Sequence, residues 1–358
     1  MTLLGAIYQL GLLLLMFCSG NEVRSTFRQG ERKTVALITL VGTCVPFGFG
    51  LVFMRLIDTE RLLGPAQSQT ALLLVFAIAI AVTSIPVISR ILFDLGIMDT
   101  DFSRIVLTVA VLEDVILYVV LAVALAIAGG RHGQDFGLPR LLGLGGDSHA
   151  GLAYYMATAV SFFAVSLWLG PRFFGRIASL RINLLKRGSP VAHLLVFLLA
   201  MTGAGVFLGI PPMFGAFVAG IVAATAKDES MAARETIKNF SFAFFIPIYF
   251  AIVGLKLDLV HSFAPGFFLL FLAFACAAKA SSIYAGAWLA GESRPGRLNL
   301  SVALNARGGP GIVLASLAFD ARIINEGFYV VLVMLAIVTS LLAGSWLDFV
   351  VRKKRPLR

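Results

Sequence analysis

The sequence predicts an all-α polytopic membrane protein with about eleven transmembrane helices. Three observations predict it. Apolar runs of roughly 16–25 residues recur along the whole chain, charge is scarce, and positive charge collects in alternate loops. Of the 358 residues, 59% are hydrophobic and 13% charged, where soluble domains carry about 25% charged residues. A soluble chain of this kind would have too little polar surface to face water. Long apolar stretches joined by short polar loops are what a bilayer demands. The longest polar insert, 129–150, is too short and glycine-rich to fold alone.

The net charge is +10. On a soluble domain that balance would suggest nucleic acid. Here its placement points to the bilayer instead, and no nucleic-acid partner is expected. One set of loops holds Arg24, Arg28, Arg32 and Lys33; Arg172, Arg176, Arg181, Lys186 and Arg187; Lys227, Arg234 and Lys238; Arg294 and Arg297. Arg352, Lys353, Lys354, Arg355 and Arg358 follow at the C-terminal end. The opposite set holds only Arg55, Arg61, Arg131, Arg140, Lys256 and Arg322. Basic residues concentrate on the cytoplasmic side of membrane proteins. The expected topology is therefore a multi-pass inner (cell) membrane protein with a cytoplasmic C-terminus and an external N-terminus.

The spans in order are 3–20, 34–54, 70–93, 104–128, 150–170, 190–208, 211–226, 240–256, 266–290, 298–319 and 327–348. Each is near the ~20 residues that cross ~30 Å of hydrocarbon. The weakest divisions are 209–212, between the sixth and seventh, and 320–327, between the tenth and eleventh. Two spans are interrupted. The third contains Thr83-Ser84-Ile85-Pro86, and the tenth contains Asn305-Ala306-Arg307-Gly308-Gly309-Pro310-Gly311. Proline removes a backbone donor and glycine loosens a helix. One such break would read as a packing kink. Two at matching positions read as the crossing helices of a transporter built from inverted-topology repeats. Spans one to four overlay on eight to eleven, with the fifth as linker, and the breaks then coincide. The sixth and seventh spans have no counterparts in the first half. A complete repeat needs two more helices before Met1, so an N-terminally short chain is expected.

Four spans bring exceptional residues to mid-depth. Glu113 and Asp114 are the only interior charges of the fourth. Carboxylates at membrane depth cost several kcal/mol and are functional by default. Adjacent helix residues point about 100° apart, so the two acids need not share one role. Lys279 is the one interior charge of the ninth span. A nearby acid would keep it charged, and Glu113 is the expected partner; snorkelling to an interface is the alternative. Arg307 stays protonated and is expected to cap carbonyls at the tenth span's break or to balance an acid, with Asn305 beside it. Thr83 and Ser84 offer hydroxyls and carbonyls, oxygen ligands suited to a hard monovalent cation. Glu22, Arg90 and Arg104 read as interfacial residues. Cys18, Cys44 and Cys276 read as small buried apolar residues, and His132, His149, His193 and His261 lack metal spacing. The first residues carry no basic segment or cleavage site of a signal peptide. The 143–146 glycine run lacks the Lys of a phosphate loop, and Gly146-Asp147-Ser148-His149-Ala150 misses the last glycine of a hydrolase elbow. No enzyme and no cofactor are expected.

Thr83-Ser84-Ile85-Pro86-Val87-Ile88-Ser89-Arg90-Ile91-Leu92, Leu95-Gly96 and Val111-Leu112-Glu113-Asp114-Val115 resemble the monovalent cation:proton antiporter-2 family. So do Phe245-Ile246-Pro247, Val253-Gly254-Leu255-Lys256-Leu257, Lys279 and Asn305-Ala306-Arg307-Gly308, in order along nearly the whole chain. The resemblance implies a sodium/proton antiporter-like fold, usually dimeric. It implies an ion-translocating core over 34–128 and 266–348, a dimerisation or scaffold side over 1–33 and 190–265, and linker segments over 129–189. It implies exchange of Na⁺ or K⁺ for protons by alternating access, with Asp114 carrying cation and proton in turn. Glu113 would be its acidic neighbour and Lys279 the base that pairs with Glu113. Two departures stand out. Members commonly carry Asp-Asp, or Asn or Gln before the Asp, where this chain has Glu-Asp, so the proton-to-cation ratio is open. The family also begins with two helices not seen here. Two rival readings are a gated potassium channel-like subunit and a non-transporting sensor or remnant on the same fold.

Overall fold

A computed structural model of the chain describes residues 3–22, 32–130, 137–143, 149–179, 188–225 and 231–358. Arg24, Arg28, Arg131, His132, Arg181, Lys186, Arg187, Lys227 and the 144–148 segment of the glycine-rich insert lie outside the described residues. Among the described residues, fifteen α-helices follow in order: α1 Leu3–Glu22, α2 Arg32–Phe53, α3 Gln69–Ala81, α4 Ile85–Asp94 and α5 Asp101–Gly130. Next come α6 Leu138–Leu141, α7 His149–Ser179, α8 Pro190–Phe207, α9 Pro212–Ala224 and α10 Met231–Phe240. The last are α11 Ile246–Leu255, α12 Pro265–Leu289, α13 Arg294–Ala303, α14 Gly308–Asp320 and α15 Glu326–Arg352. Among the described residues the one strand-like pairing is a single bridge, Leu63 with Ile324.

Among the described residues, ten stretches are long and apolar enough to cross a membrane. Three of them are compound. Gln69–Asp94 joins α3 to α4, Arg294–Asp320 joins α13 to α14, and Met231–Leu255 joins α10 to α11 through a π turn at Ser241–Phe245. The expected seventh span is the exception. At 13 residues, α9 reaches about 20 Å at 1.5 Å per residue, short of the ~30 Å core. All its residues but Pro212 are buried, packed by α1, α7 and α8. Two expected spans also grow: the fourth becomes the 30-residue α5 and the fifth the 31-residue α7. Polar first turns such as Asp101-Phe102-Ser103-Arg104 are legitimate helix residues that hydropathy alone leaves out.

The chain forms two compact units. One comprises Met1–Ser25 with Gly129–Lys256, and the other Thr26–Ala128 with Leu257–Arg358. In the first, α1 packs on α9 and α11, and α9 on α8 and α7. In the second, α2 packs on α3 and α12, α12 on α13, and α15 on α13 and α14. The Leu63–Ile324 bridge ties the α2–α3 connection to the α14–α15 turn. Gly64 N–H donates to Ile323 O, and Ala66 N–H donates to Arg322 O.

Ser68, Ser84, Ser189, Ser293 and Asn325 each cap the N-terminus of the following helix with a side-chain oxygen, the role these residue types favour. Of the cysteines, Cys18 is buried as expected, while Cys276 is half-buried and Cys44 is exposed on the outer face of α2. A cysteine in an apolar span can face lipid as readily as protein.

Candidate ion site

The second unit is organised by its two breaks. The α3 helix ends at Ala81, and Val82, Thr83 and Ser84 run extended before α4 begins at Ile85. The α13 helix ends at Ala303, and Leu304–Arg307 separates it from α14. Pro86 and Pro310 are therefore not the breakers. Each sits within the first turn of the helix after the break, where a missing N–H costs nothing. The breaks meet directly: Ser84 N–H donates to Ala306 O at 2.7 Å. That approach requires Gly308. It has φ +35°, and a Cβ there would lie 2.3 Å from Val87 Cγ2.

A helix leaves its last four carbonyls without partners, and inside a bilayer each needs one. For α3 all four are found. Ile78 O takes Val82 N–H at 2.9 Å. Ala79 O and Ile80 O take Arg307 at 3.0 Å each. Ala81 O takes Lys279 Nζ at 2.6 Å. Arg307 also donates to Ala275 O at 2.9 Å, Asn305 O at 3.1 Å and Asn305 Oδ1 at 2.6 Å. A guanidinium has five N–H donors, so Arg307 is saturated while only 1% exposed. Its hydrogen bonds are those of the expected carbonyl-capping role, and its charge also acts on Glu113. Asn305 continues the chain of contacts, its amide donating to Cys276 O at 3.0 Å.

Lys279 is wholly buried, which excludes snorkelling. Its ammonium donates to Glu113 Oε2 at 2.8 Å, Ala81 O at 2.6 Å and Gly42 O at 2.9 Å. Three protons meet three acceptors. The Gly42 carbonyl is available because Pro46, four residues on within α2, has no N–H to give it. Glu113 is also wholly buried, and the Thr83 hydroxyl lies 2.6 Å from its Oε2 and 2.6 Å from Leu304 O. That hydroxyl has one proton, which serves one acceptor at a time. Asp114 is 1% exposed, one residue along the same unbroken helix.

The structure thus brings Thr83, Ser84, Glu113, Lys279, Asn305 and Arg307 into one connected network, with Asp114 beside it on α5. Sequence reasoning missed the backbone partners, namely the carbonyls of Gly42, Ala79, Ile80, Ala81, Ala275, Cys276 and Leu304. It also missed Thr339 and Ser340 of α15, whose hydroxyls accept from the N–H groups of Arg307 and Gly308 at 3.3 and 3.1 Å. Pro46 was the available signal for Gly42. The interfacial residues pair near helix ends: Arg90 with Asp94 at 3.0 Å, Arg104 with Asp101, and Glu22 with Lys238 at 3.4 Å. No cluster of three or more His, Cys, Asp or Glu residues able to hold a metal occurs among the described residues.

Two interrupted helices crossing beside a buried acid pair form the arrangement expected of an ion transporter, and comparison with known proteins agrees. Residues 2–353 match the family described as "Sodium/hydrogen exchanger, transmembrane". The chain belongs to that family. It is a multi-pass membrane protein of the sodium/hydrogen exchanger family, among relatives that are antiporters and not enzymes. Cation/H(+) antiporter 18 of Arabidopsis thaliana is 24% identical over 351 residues, covering 95% of this chain and 40% of that protein. The chain thus spans about two fifths of the length of this plant relative. The Na(+)/H(+) antiporter of Enterococcus hirae is 23% identical over 346 residues, covering 96% of this chain and 84% of its own length. Among solved structures, the sodium proton antiporter MjNhaP1 of Methanocaldococcus jannaschii matches with a TM-score of 0.59 and 14% identity. That match covers 97% of this chain and 84% of the other, and it establishes the shared fold.

Proposed function

We propose that this domain exchanges a monovalent cation, Na⁺ or K⁺, for protons by alternating access, with Asp114 as the shared carrier. The observation that carries this reading is a buried carboxylate, Asp114 at 1% exposure, on the helix beside two breaks that meet directly. Lys279 has committed its three protons and Arg307 its five. A carboxylate at this depth is costly to keep charged, and a proton or a cation supplies the balance. Competition of the two for one carboxylate gives obligatory exchange with no covalent step.

The first break offers matching ligands. Among the described residues, no donor reaches Val82 O or Thr83 O, whereas Leu304 O, Asn305 O and Ala306 O of the second break are all engaged. Carbonyl and carboxylate oxygens suit a hard cation. Glu113, held by Lys279 and Thr83, sets the charge beside Asp114. When the Thr83 proton turns from Glu113 to Leu304 O, the link between the two breaks tightens and the Glu113 carboxylate loses a donor. This couples site occupancy to the geometry of the crossing.

The relatives support the same class of activity, the Enterococcus hirae protein being a Na(+)/H(+) antiporter. On this reading the unit holding the crossing, 26–128 with 257–358, is the ion-translocating core. The other unit carries the homodimer contacts. The excess of basic residues in alternate loops supports a cell-membrane protein with its C-terminal end in the cytoplasm. The test is proteoliposomes holding a preset pH gradient, to which Na⁺ or K⁺ is added. Saturable, cation-dependent collapse of the gradient is expected. A conductance that follows voltage without moving protons would refute exchange.

A further inference from the structure

Three buried oxygens beside the crossing have no hydrogen-bond partner among the described residues: Thr39 Oγ1, Thr43 Oγ1 and Glu113 Oε1. Their residues are 5%, 3% and 0% exposed. A helical threonine ordinarily returns its hydroxyl to a carbonyl three or four residues back, and in α2 neither does. Buried polar atoms left without partners in a native fold call for a ligand or a bound water.

Helix spacing and glycine contacts set both hydroxyls at the level of the crossing. Successive helix residues turn by about 100°, so Thr39, Thr43 and Gly50 fall within roughly 40° on α2. Gly50 identifies what that side looks at: a Cβ there would lie 2.8 Å from Ala77 Cα and 3.1 Å from Ile80 Cδ1, on α3. Moving from Gly50 back to Thr43 runs along α3 toward its end at Ala81 and the extended Val82–Ser84. Gly42 marks the level, since its carbonyl and that of Ala81 share the Lys279 ammonium. Glu113 Oε1 would be 3.1 Å from a Cβ on Gly42. Thr39 stands one turn from Gly42, and Thr43 is its chain neighbour.

We infer that Thr39, Thr43 and Glu113 Oε1 form a hydroxyl-lined pocket that holds water and passes protons to Glu113 from the α2 side. This rests on the exchange reading above. Water is the occupant that the electrostatics favour. A buried water makes about three hydrogen bonds, and two hydroxyls with one carboxylate oxygen supply them. A second cation is disfavoured, because the Lys279 ammonium already sits on Gly42 O and on the other oxygen of the same carboxylate. The step balances simply: a hydrated proton is delivered through the pocket, the Glu113 carboxylate takes it on the way to Asp114 while Gly42 O and Ala81 O keep hold of the Lys279 ammonium, and water remains. The charged and titratable groups around Glu113 are Lys279 from α12, Arg307 from the second break and Asp114 on α5 itself. None of them lies on α2, so this side reaches the carboxylate through hydroxyls alone.

The test compares native protein with Thr39→Val/Thr43→Val and Thr39→Ser/Thr43→Ser in proteoliposomes. The valine pair keeps shape and removes both hydroxyls. It is expected to leave the KM for the cation unchanged and lower the maximal exchange rate about tenfold. It should also move the acidic limb of the pH–rate profile up by about one unit, the scale set by losing a hydrogen bond to a charged group. The serine pair is expected to restore both. A valine pair with native rate and native pH profile overturns the pocket. If that variant fails to fold, a high-resolution crystallographic map of the native protein grown with Rb⁺ decides. Ordered water bonded to both hydroxyls upholds the pocket; a dry site, or Rb⁺ within it, overturns it. Native protein that exchanges nothing would instead refute the proposed function, and the map would then judge the pocket by itself.

Discussion

Lys279 and Glu113 carry the heaviest local consequences. Removing one member of a buried ion pair leaves the other uncompensated, at about 3–5 kcal/mol, whereas replacing both by neutral groups is far milder. Lys279→Met is therefore expected to lower the melting temperature in detergent sharply, and Glu113→Gln/Lys279→Met to recover most of the loss. Additive losses in that double-mutant cycle would contradict the pair. Arg307→Lys keeps the charge but cuts the donors from five to three. It strands carbonyls at the end of α3 and should cost about 1–3 kcal/mol, measured by the same melt. The acids, the lysine and the arginine were legible in the sequence because charge inside an apolar span is conspicuous. Their carbonyl partners were not, since every residue has a carbonyl and only the fold decides which one lacks a donor. Pro46 is the instructive case: a proline in a helix announces one unpaired carbonyl, at Gly42, but not the lysine that finds it.

At the scale of the helix, the two breaks were legible and their causes were not. Pro86 and Pro310 look like helix breakers, yet each opens the next helix. The chain leaves helical geometry before them, at Val82–Ser84 and Leu304–Arg307. The breaks hold because each end finds partners in the other: Ser84 N–H on Ala306 O, Thr83 beside Leu304 O, and Arg307 on Ala79 O and Ile80 O. Gly308→Ala should push the breaks apart, because the new Cβ would meet Val87 Cγ2 at 2.3 Å and Ser84 Oγ at 2.7 Å. Overpacking of this kind costs about 1–3 kcal/mol. The expected outcome is a lower melting temperature together with loss of exchange, and an unaltered melt would contradict the close crossing. The buried helix α9 shows the limit of hydropathy. Its 13 apolar residues read as a span, yet as a helix they are shorter than the ~20 residues a full crossing takes.

At the scale of the molecule, the unit holding the crossing gathers residues 26–128 and 257–358, two stretches far apart in sequence. The overlay of the first four spans on the last four matched the two breaks, but it also included the first and eighth spans, which belong to the other unit. What no pattern of spacing could give is the outcome of the pairing: both bases of the crossing are saturated by carbonyls and by Glu113. Asp114, 1% exposed beside that crossing, is the acid on which the proposed exchange turns. The most direct measurement is cation-driven collapse of a pH gradient in proteoliposomes, comparing native protein with Asp114→Asn at equal incorporation and with melts showing both folded. The account predicts saturable exchange by the native protein and none above empty liposomes for the variant. Undiminished exchange by Asp114→Asn would contradict it.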